Sequence, residues 1–229
     1  DFVVPELLQD AATPQALALD GVNDYVDLPD ITIGGALTIE AWVFVDQHQN
    51  WARIFEAASP AGNISFGFRE DSGRLFYEVG DGDDSLGVVI APTALPTGQW
   101  AHVAVSQANT GTTKLYINGQ VVATSTIGLP ADVARADVFL GKSHYAGDAY
   151  LSGALRDVRI WDTARSDAEI FNNQGNTLAG NEAGLVAWYP MANSPLDAAG
   201  RDQDGTLMNG ATMTGVFTPR GNPVAVFDE

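Results

Sequence analysis

Short oxygen-bearing side chains crowd two stretches of this chain. Asp20-Gly21-Val22-Asn23-Asp24 sets two carboxylates and an amide into one turn, with Gly21 permitting tight backbone. Carboxylates and backbone carbonyls from such a turn are what a hard cation such as Ca²⁺ takes as ligands. Gly80-Asp81-Gly82-Asp83-Asp84-Ser85 is the densest acidic cluster. Carboxylates this close repel one another unless a cation neutralises them. The spacing is not that of an EF-hand, because the distal Glu is missing. Each stretch also reads without metal, the first as an ordinary Asp-rich turn and the second as a solvated loop.

Two further stretches carry side chains unusual for loops. One is Asp46-Gln47-His48-Gln49-Asn50-Trp51; the other is Lys142-Ser143-His144-Tyr145-Ala146-Gly147-Asp148-Ala149-Tyr150. A pyranose has an apolar face that stacks on an aromatic ring, and hydroxyls that pair with amides and carboxylates. Trp51, Tyr145 and Tyr150 supply rings, while His48, Gln49, Asn50, His144 and Asp148 supply polar partners. These loops therefore suit a sugar. Trp51 equally reads as a core residue opening a strand over 52–57.

The bulk composition narrows the classes. Of 29 acidic residues 21 are Asp and 8 are Glu, against 11 Lys and Arg, for a net charge of −18. That repels nucleic acid, which needs clustered cations, and disfavours anionic membranes. The Asp excess suits calcium-rich surroundings; solubility explains it as well. With no Cys there is no disulfide, thiolate nucleophile or Cys-based zinc site. No run of about 18 apolar residues predicts a membrane span. Asp1 opens without a basic leader, so the chain reads as a segment of a longer protein.

The elements that must position the loops are strands. Leu37, Ile39, Ala41, Val43 and Val45 alternate onto one face, as do Ile64, Phe66 and Phe68, and Ala101, Val103 and Val105. Asn118-Gly119 between apolar runs predicts a type I′ hairpin, whose central residues need positive φ. Strands recur every 8–15 residues between Gly, Pro and Asp clusters, the spacing of a sandwich or jelly roll. Ser166-Asp167-Ala168-Glu169 is a capping box and predicts one short helix near 166–173. Gly184–Pro190 reads as a buried strand, and Asp204-Gly205-Thr206-Leu207 as the start of a closing hairpin. Trp42, Trp100, Trp161 and Trp188 lie inside strand phrases and read as core or interlayer packing, and His102 as a satisfied core histidine. Residues 1–14 read as a leading strand or linker, 15–217 as the domain, and 218–229 as a trailing strand or linker.

Several phrases in fixed order carry a resemblance. They are Ala16-Leu17-Ala18-Leu19-Asp20-Gly21 with Asp24-Tyr25-Val26, Leu37-Thr38-Ile39-Glu40-Ala41-Trp42-Val43 and Gly98-Gln99-Trp100-Ala101-His102-Val103-Ala104. Lys114-Leu115-Tyr116-Ile117-Asn118-Gly119 follows, and then Gly153-Ala154-Leu155-Arg156-Asp157-Val158-Arg159-Ile160-Trp161. Together they resemble the laminin G-like, concanavalin A-like lectin/glucanase superfamily over about residues 15–215. The resemblance implies an all-β, two-sheet antiparallel β-sandwich. It also implies that Asp157 completes a cation site with the first turn, and that the 46–51 and 142–150 loops lie together around a pentraxin-like, calcium-mediated site. Ser143-His144-Tyr145 departs from the acidic run expected there.

Glucanases on this fold carry acids alternating along one inner strand, with carboxyls about 5–5.5 Å or 6.5–9.5 Å apart. Glu40 stands alone on its strand, Glu70-Asp71 falls in a turn, and Glu78 has no acidic neighbour at i±2. The expectation is a non-enzymatic, calcium-dependent, lectin-like module of a bacterial cell-surface adhesin, monomeric within a longer chain, acting outside the cell on polysaccharide. The alternatives are a protein- or peptide-binding laminin G-like module, and an accessory domain of a surface enzyme.

Overall fold

The structure, a computed structural model, describes residues 15–82 and 84–214. The expected end segments 1–14 and 218–229, and Asp83, lie outside the described residues. Two antiparallel sheets face each other. The first has eight strands, along Gln120–Thr126, Thr112–Ile117, Trp100–Gln107, Leu37–Gln47, Ser152–Trp161, Ala16–Asp20 and Thr212–Thr214; Leu185–Tyr189 also pairs with Ser152–Trp161. The second has seven, in the order Thr206–Met208, Tyr25–Leu28, Asp137–Leu140, Arg53–Ser59, Gly62–Arg69, Arg74–Gly80 and Ser85–Ala94.

The alternating apolar residues fill the space between the sheets. Leu37, Ile39, Ala41, Val43 and Val45 meet Ile64, Phe66, Phe68, Leu75 and Tyr77 in one buried cluster. Period-two alternation puts these on one face, so burying that face fixes the register of every strand. Asn118 (φ 50°) and Gly119 (φ 74°) both sit at positive φ, as a type I′ turn requires. The helix runs Asp167–Asn173, with Ser166 and Glu169 capping it reciprocally.

Two expectations change. Thr206–Met208 and Thr212–Thr214 do not form a hairpin: the first pairs with Tyr25–Leu28 in the seven-stranded sheet, the second with Ala16–Asp20 in the eight-stranded one. Asn209, at φ 62°, turns the chain from one sheet to the other, and its side-chain amide donates to the Asn23 carbonyl (2.8 Å). Trp42 and Trp100 pack on the outward face of the eight-stranded sheet, outside the inter-sheet core. Their strands are buried on both sides because the helix and the 162–178 segment cover part of that outward face.

Under that cover lies a buried charged network. Trp161 Nε1 donates to Glu40 Oε1 (2.9 Å), Arg159 Nη1 lies 3.8 Å from the same oxygen, and His102 Nε2 lies 3.3 Å from Glu40 Oε2. His102 is thus buried but not fully satisfied, because its Nδ1 has no hydrogen-bond partner. Burial pushes the Glu40 carboxyl up, but His102, Arg159 and Arg165 outweigh it and hold the group below its ordinary 4.5. A depressed folded value means that Glu40 stabilises fully above about pH 4.5 and progressively less as pH falls through the folded value.

Glu40→Gln should therefore cost about 3–5 kcal/mol at neutral pH, the cost of stripping one partner from a buried ion pair. Urea unfolding across pH should show the gap to wild type narrowing in acid; a constant gap would contradict an ionised Glu40. Gly153, at φ 152°, lies where a Cβ would overlap the Phe44 carbonyl oxygen. Gly153→Ala should destabilise by at least ~1–3 kcal/mol in the same assay.

Candidate functional site

The outward face of the seven-stranded sheet gathers the residues with chemistry. Glu56, Ser65 and Glu78 stand in register on three neighbouring strands. Glu56 is fully buried and accepts from Arg53 Nε (2.9 Å), Ser65 Oγ (2.8 Å) and His144 Nδ1. Asn63 Nδ2 in turn donates to Ser65 Oγ (2.8 Å). Donors from three directions fix the Glu56 carboxyl in place as a floor.

Arg53 ties this floor to both loops. Its Nη1 donates to the Trp51 carbonyl and its Nη2 to Asp148 Oδ2 (2.9 Å). Ser143 Oγ donates to the same Asp148 oxygen (2.7 Å) and accepts from Tyr145 N (3.1 Å). Ala149 N donates to the Asn50 carbonyl (2.9 Å), so the two loops are stitched to each other directly. The expected juxtaposition of segments 46–51 and 142–150 is present.

Trp51 holds a left-handed backbone, φ 58°, a costly conformation for a bulky residue. Its ring packs edge-on against Phe76 (centroids 5.4 Å), with the Arg53 and Arg69 guanidiniums 5.8 and 5.6 Å away. Tyr145 is 53% exposed, and its ring centroid lies 3.8 Å from that of His144. Burial against the loop raises the Tyr145 phenol, and Glu56, Glu78 and Asp148 raise it further, against Arg53. The phenol is therefore a neutral O–H donor at physiological pH.

The remaining predicted ligand residues have other positions. His48 turns away: its Nε2 contacts the Leu95 carbonyl (2.8 Å) and its ring packs on Phe68. Gln49 Nε2 donates to the Gly21 carbonyl (3.0 Å), linking its loop to the acidic turn. Tyr150 packs beside Tyr25 (6.2 Å), which with Phe139 flanks the Lys142 ammonium. Trp51, His144, Tyr145 and Asp148 thus share one floor; His48, Gln49 and Tyr150 buttress its surroundings.

Among the predicted metal residues, Asp20 Oδ1 accepts from the backbone N–H groups of Val22 (2.8 Å) and Asn23 (3.2 Å), and Asp24 Oδ2 from Asp20 N (3.1 Å). Asp81 Oδ1 accepts from Asp84 N (2.9 Å) in its own turn. Asp157 stands apart from Asp20. Asp20 pairs with Ser152, and Asp157 lies five residues further along, roughly 16 Å at about 3.3 Å per residue. Its carboxylate is taken by Arg159 (2.6 Å) and Trp188 Nε1 (2.8 Å). Among the described residues no three Asp, Glu or His side chains converge on one metal-sized point. Asp20 and Asp46 nevertheless line one cleft of about 260 Å³, with Gln47, Gln49 and Ser152.

Sequence reasoning missed Glu56 and Arg53, and named Asp46 only as part of the 46–51 loop, with no cation role. A signal for Glu56 existed, since it alternates with Phe55 and Ala57 and so shares the face opposite the core. Spacing along one strand does not reveal the pair, because the sheet aligns Glu56 and Glu78 across strands, roughly 9–10 Å apart at the backbone.

No curated protein matches the chain by sequence. Solved structures share its fold. A candidate carbohydrate binding protein from Bacteroides ovatus aligns with TM-score 0.68 and 23% identity, over 89% of this chain. This chain spans 60% of the length of that protein. A heptameric SAP-like pentraxin from Limulus polyphemus aligns at 0.62 with 15% identity, over 89% of this chain and 96% of the pentraxin. Domain 4 of an extracellular arabinanase from Geobacillus stearothermophilus, in complex with arabinotriose, aligns at 0.57 with 24% identity, over 69% of this chain and 75% of that one. The laminin G-like family described as the concanavalin A-like lectin/glucanases superfamily matches residues 20–171. With that match across two-thirds of its length and a two-sheet sandwich to carry it, the chain belongs to the concanavalin A-like lectin/glucanases superfamily.

Proposed function

We propose that this domain is a non-catalytic carbohydrate-binding module whose sugar lies on the outward face of the seven-stranded sheet, between Trp51 and Tyr145. The observation that carries it is the Arg53–Glu56 floor. The Trp51 ring lies 5.8 Å from the Arg53 guanidinium, and Tyr145, from the other loop, stands within electrostatic reach of Glu56, Glu78 and Asp148. Rings take the apolar face of a pyranose, and carboxylates and the neutral phenol take its hydroxyls. The fold is shared with a candidate carbohydrate binder and with an arabinanase domain solved with arabinotriose, which supports the reading. Glu56 is committed to three donors, which suits a scaffold better than a proton donor.

The finer reading is a lectin-like module of a cell-surface adhesin, acting outside the cell on polysaccharide, with Ca²⁺ bracing the site. A cage of acids alone is not built among the described residues. Two carboxylates, Asp20 and Asp46, with carbonyl oxygens and water suit a weak extracellular-type site, with Kd of about 10⁻⁴–10⁻³ M. Because Gln49 is bonded to the Gly21 carbonyl, ordering that turn would order the loop that carries Trp51. Single sites of this kind bind weakly and gain strength by multivalent display.

On a glycan array, Trp51→Ala and Tyr145→Ala should each weaken retention about tenfold or more while the fold persists. A protein that retains no glycan, or variants that retain glycan like wild type, would sink the proposal; capture of a peptide instead would favour a laminin G-like interaction module. Ca²⁺ at roughly 100 times its Kd should add about 2.7 kcal/mol to stability. Asp46→Asn should erase that gain in a thermal melt, and EDTA should lower both the melting temperature and glycan retention. Identical melts in Ca²⁺ and EDTA would remove the metal from the mechanism.

A further inference from the structure

The opposite side of the sandwich carries an arginine in an unusual state. Arg156 projects from the outward face of the eight-stranded sheet, opposite Trp42 in register. Its guanidinium lies 5.2 Å from the Trp42 ring and 4.7 Å from the Trp100 ring. Among the described residues it makes no hydrogen bond and no ion pair. Asp157, its sequence neighbour, is occupied instead by both arms of the Arg159 fork (2.9 and 2.6 Å) and by Trp188 Nε1.

A backbone irregularity creates this separation. Pairing with the Leu37–Gln47 strand skips from Arg156 to Arg159, and Asp157 sits at φ 52°. This bulge turns both arginines outward, with Asp157 facing Arg159. Burial among the rings lowers the Arg156 pKa, against the opposing pull of Asp157. The group stays charged, with partly desolvated donors and no acceptor to offset the lost water.

Beside it lies a groove of about 620 Å³, within the range of small-ligand clefts. Trp42 and Trp188 line it, faced by Gln174, Asn176 and Thr177. The Trp42 indole N–H is spent on the Gln174 carbonyl (2.7 Å), which fixes the ring in place. The Gln174 and Asn176 amides donate to backbone carbonyls (both 3.1 Å), leaving their oxygens as hydroxyl acceptors.

We propose that this groove is a second ligand site, in which Arg156 takes an oxyanion carried on an otherwise neutral oligosaccharide. The planar fork matches a carboxylate bidentately and a sulfate ester in two-point fashion. The fixed indoles and amide oxygens serve the neutral sugar. A densely charged polymer does not fit, because the net charge of −18 repels it while Arg156 offers a single counter-charge. The site stands independently of the Trp51–Tyr145 face, since it shares no residue with it and lies on the other sheet.

The test titrates three trisaccharides into protein labelled with ¹⁵N at tryptophan. One bears a single glucuronate, the second is its carboxyl-reduced counterpart, and the third bears one sulfate ester. The glucuronate form should shift the Trp42 and Trp188 indole signals saturably. The carboxyl-reduced form should bind roughly ten- to hundredfold more weakly, as expected for losing a charged hydrogen-bond pair. The sulfate form decides between the two anion sources. Arg156→Gln should abolish the preference for the anionic sugar, and Trp51→Ala should leave the shifts intact. Equal affinity for the reduced and anionic sugars on the wild-type protein, a comparison that needs no variant to fold, overturns the proposal. So does the absence of any saturable shift at millimolar ligand, or shifts that vanish with Trp51→Ala.

Discussion

The candidate sugar site depends on one buried guanidinium. Arg53 is almost wholly removed from solvent, and it reaches Glu56, the Trp51 carbonyl and Asp148 at once. A buried arginine is tolerable only when its donors are used and its charge is answered. Here the demand is met by a buried acid on its own strand and by one backbone and one side-chain acceptor from two different loops. Electrostatic necessity therefore becomes geometry. The loops cannot move apart without stranding a charge, and Trp51 keeps a left-handed backbone because its carbonyl is held there. The strain at Trp51 and the burial of Arg53 describe the same fastening.

The same logic explains why the metal-rich appearance of the sequence does not become an acid cage among the described residues. Short carboxylates in turns satisfy local backbone N–H groups first, as Asp20 does for Val22 and Asn23 and as Asp81 does for Asp84. An Asp that closes its own turn has less to offer a cation. Asp157 was drawn into an ion pair by the bulge that also turns Arg159 outward. There is a cleft lined by both Asp20 and Asp46, the second supplied by the end of a strand two places along the sheet and invisible to spacing along the chain.

The sandwich was legible in the sequence because period-two alternation is a local property of each strand. Leu37 through Val45 and Ile64 through Phe68 face the core as their pattern requires. The Asn118-Gly119 turn and the Ser166–Glu169 cap were legible for the same reason, since a few adjacent residues decide them. Alternation does not say which neighbours a strand has. The Glu56–Ser65–Glu78 row, the split of the 206–214 segment between two sheets, and the outward placement of Trp42 and Trp100 all follow from pairing. The meeting of the 46–51 and 142–150 loops was expected from family resemblance; no spacing implied it. Glu56 and Arg53 stayed hidden because a charged pair inside a predicted buried strand looks like an interruption until its partners are seen.

Two outward arginines, Arg53 on one sheet and Arg156 on the other, are held in opposite ways, and the contrast has a physical meaning. Arg53 sits over an aromatic ring, Phe76, with its Nε, Nη1 and Nη2 all engaged. Arg156 sits over two aromatic rings with no hydrogen-bond acceptor among the described residues. Ring contact is enough to hold a guanidinium in position, but it leaves the in-plane N–H groups pointing past the ring edges. A saturated fork is a fastener, and an unsaturated one held by rings is a preorganised receptor, because the entropy of fixing the side chain has already been lost before any ligand arrives. That Asp157 goes to Arg159 and leaves Arg156 open is the feature of this face that internal packing does not explain.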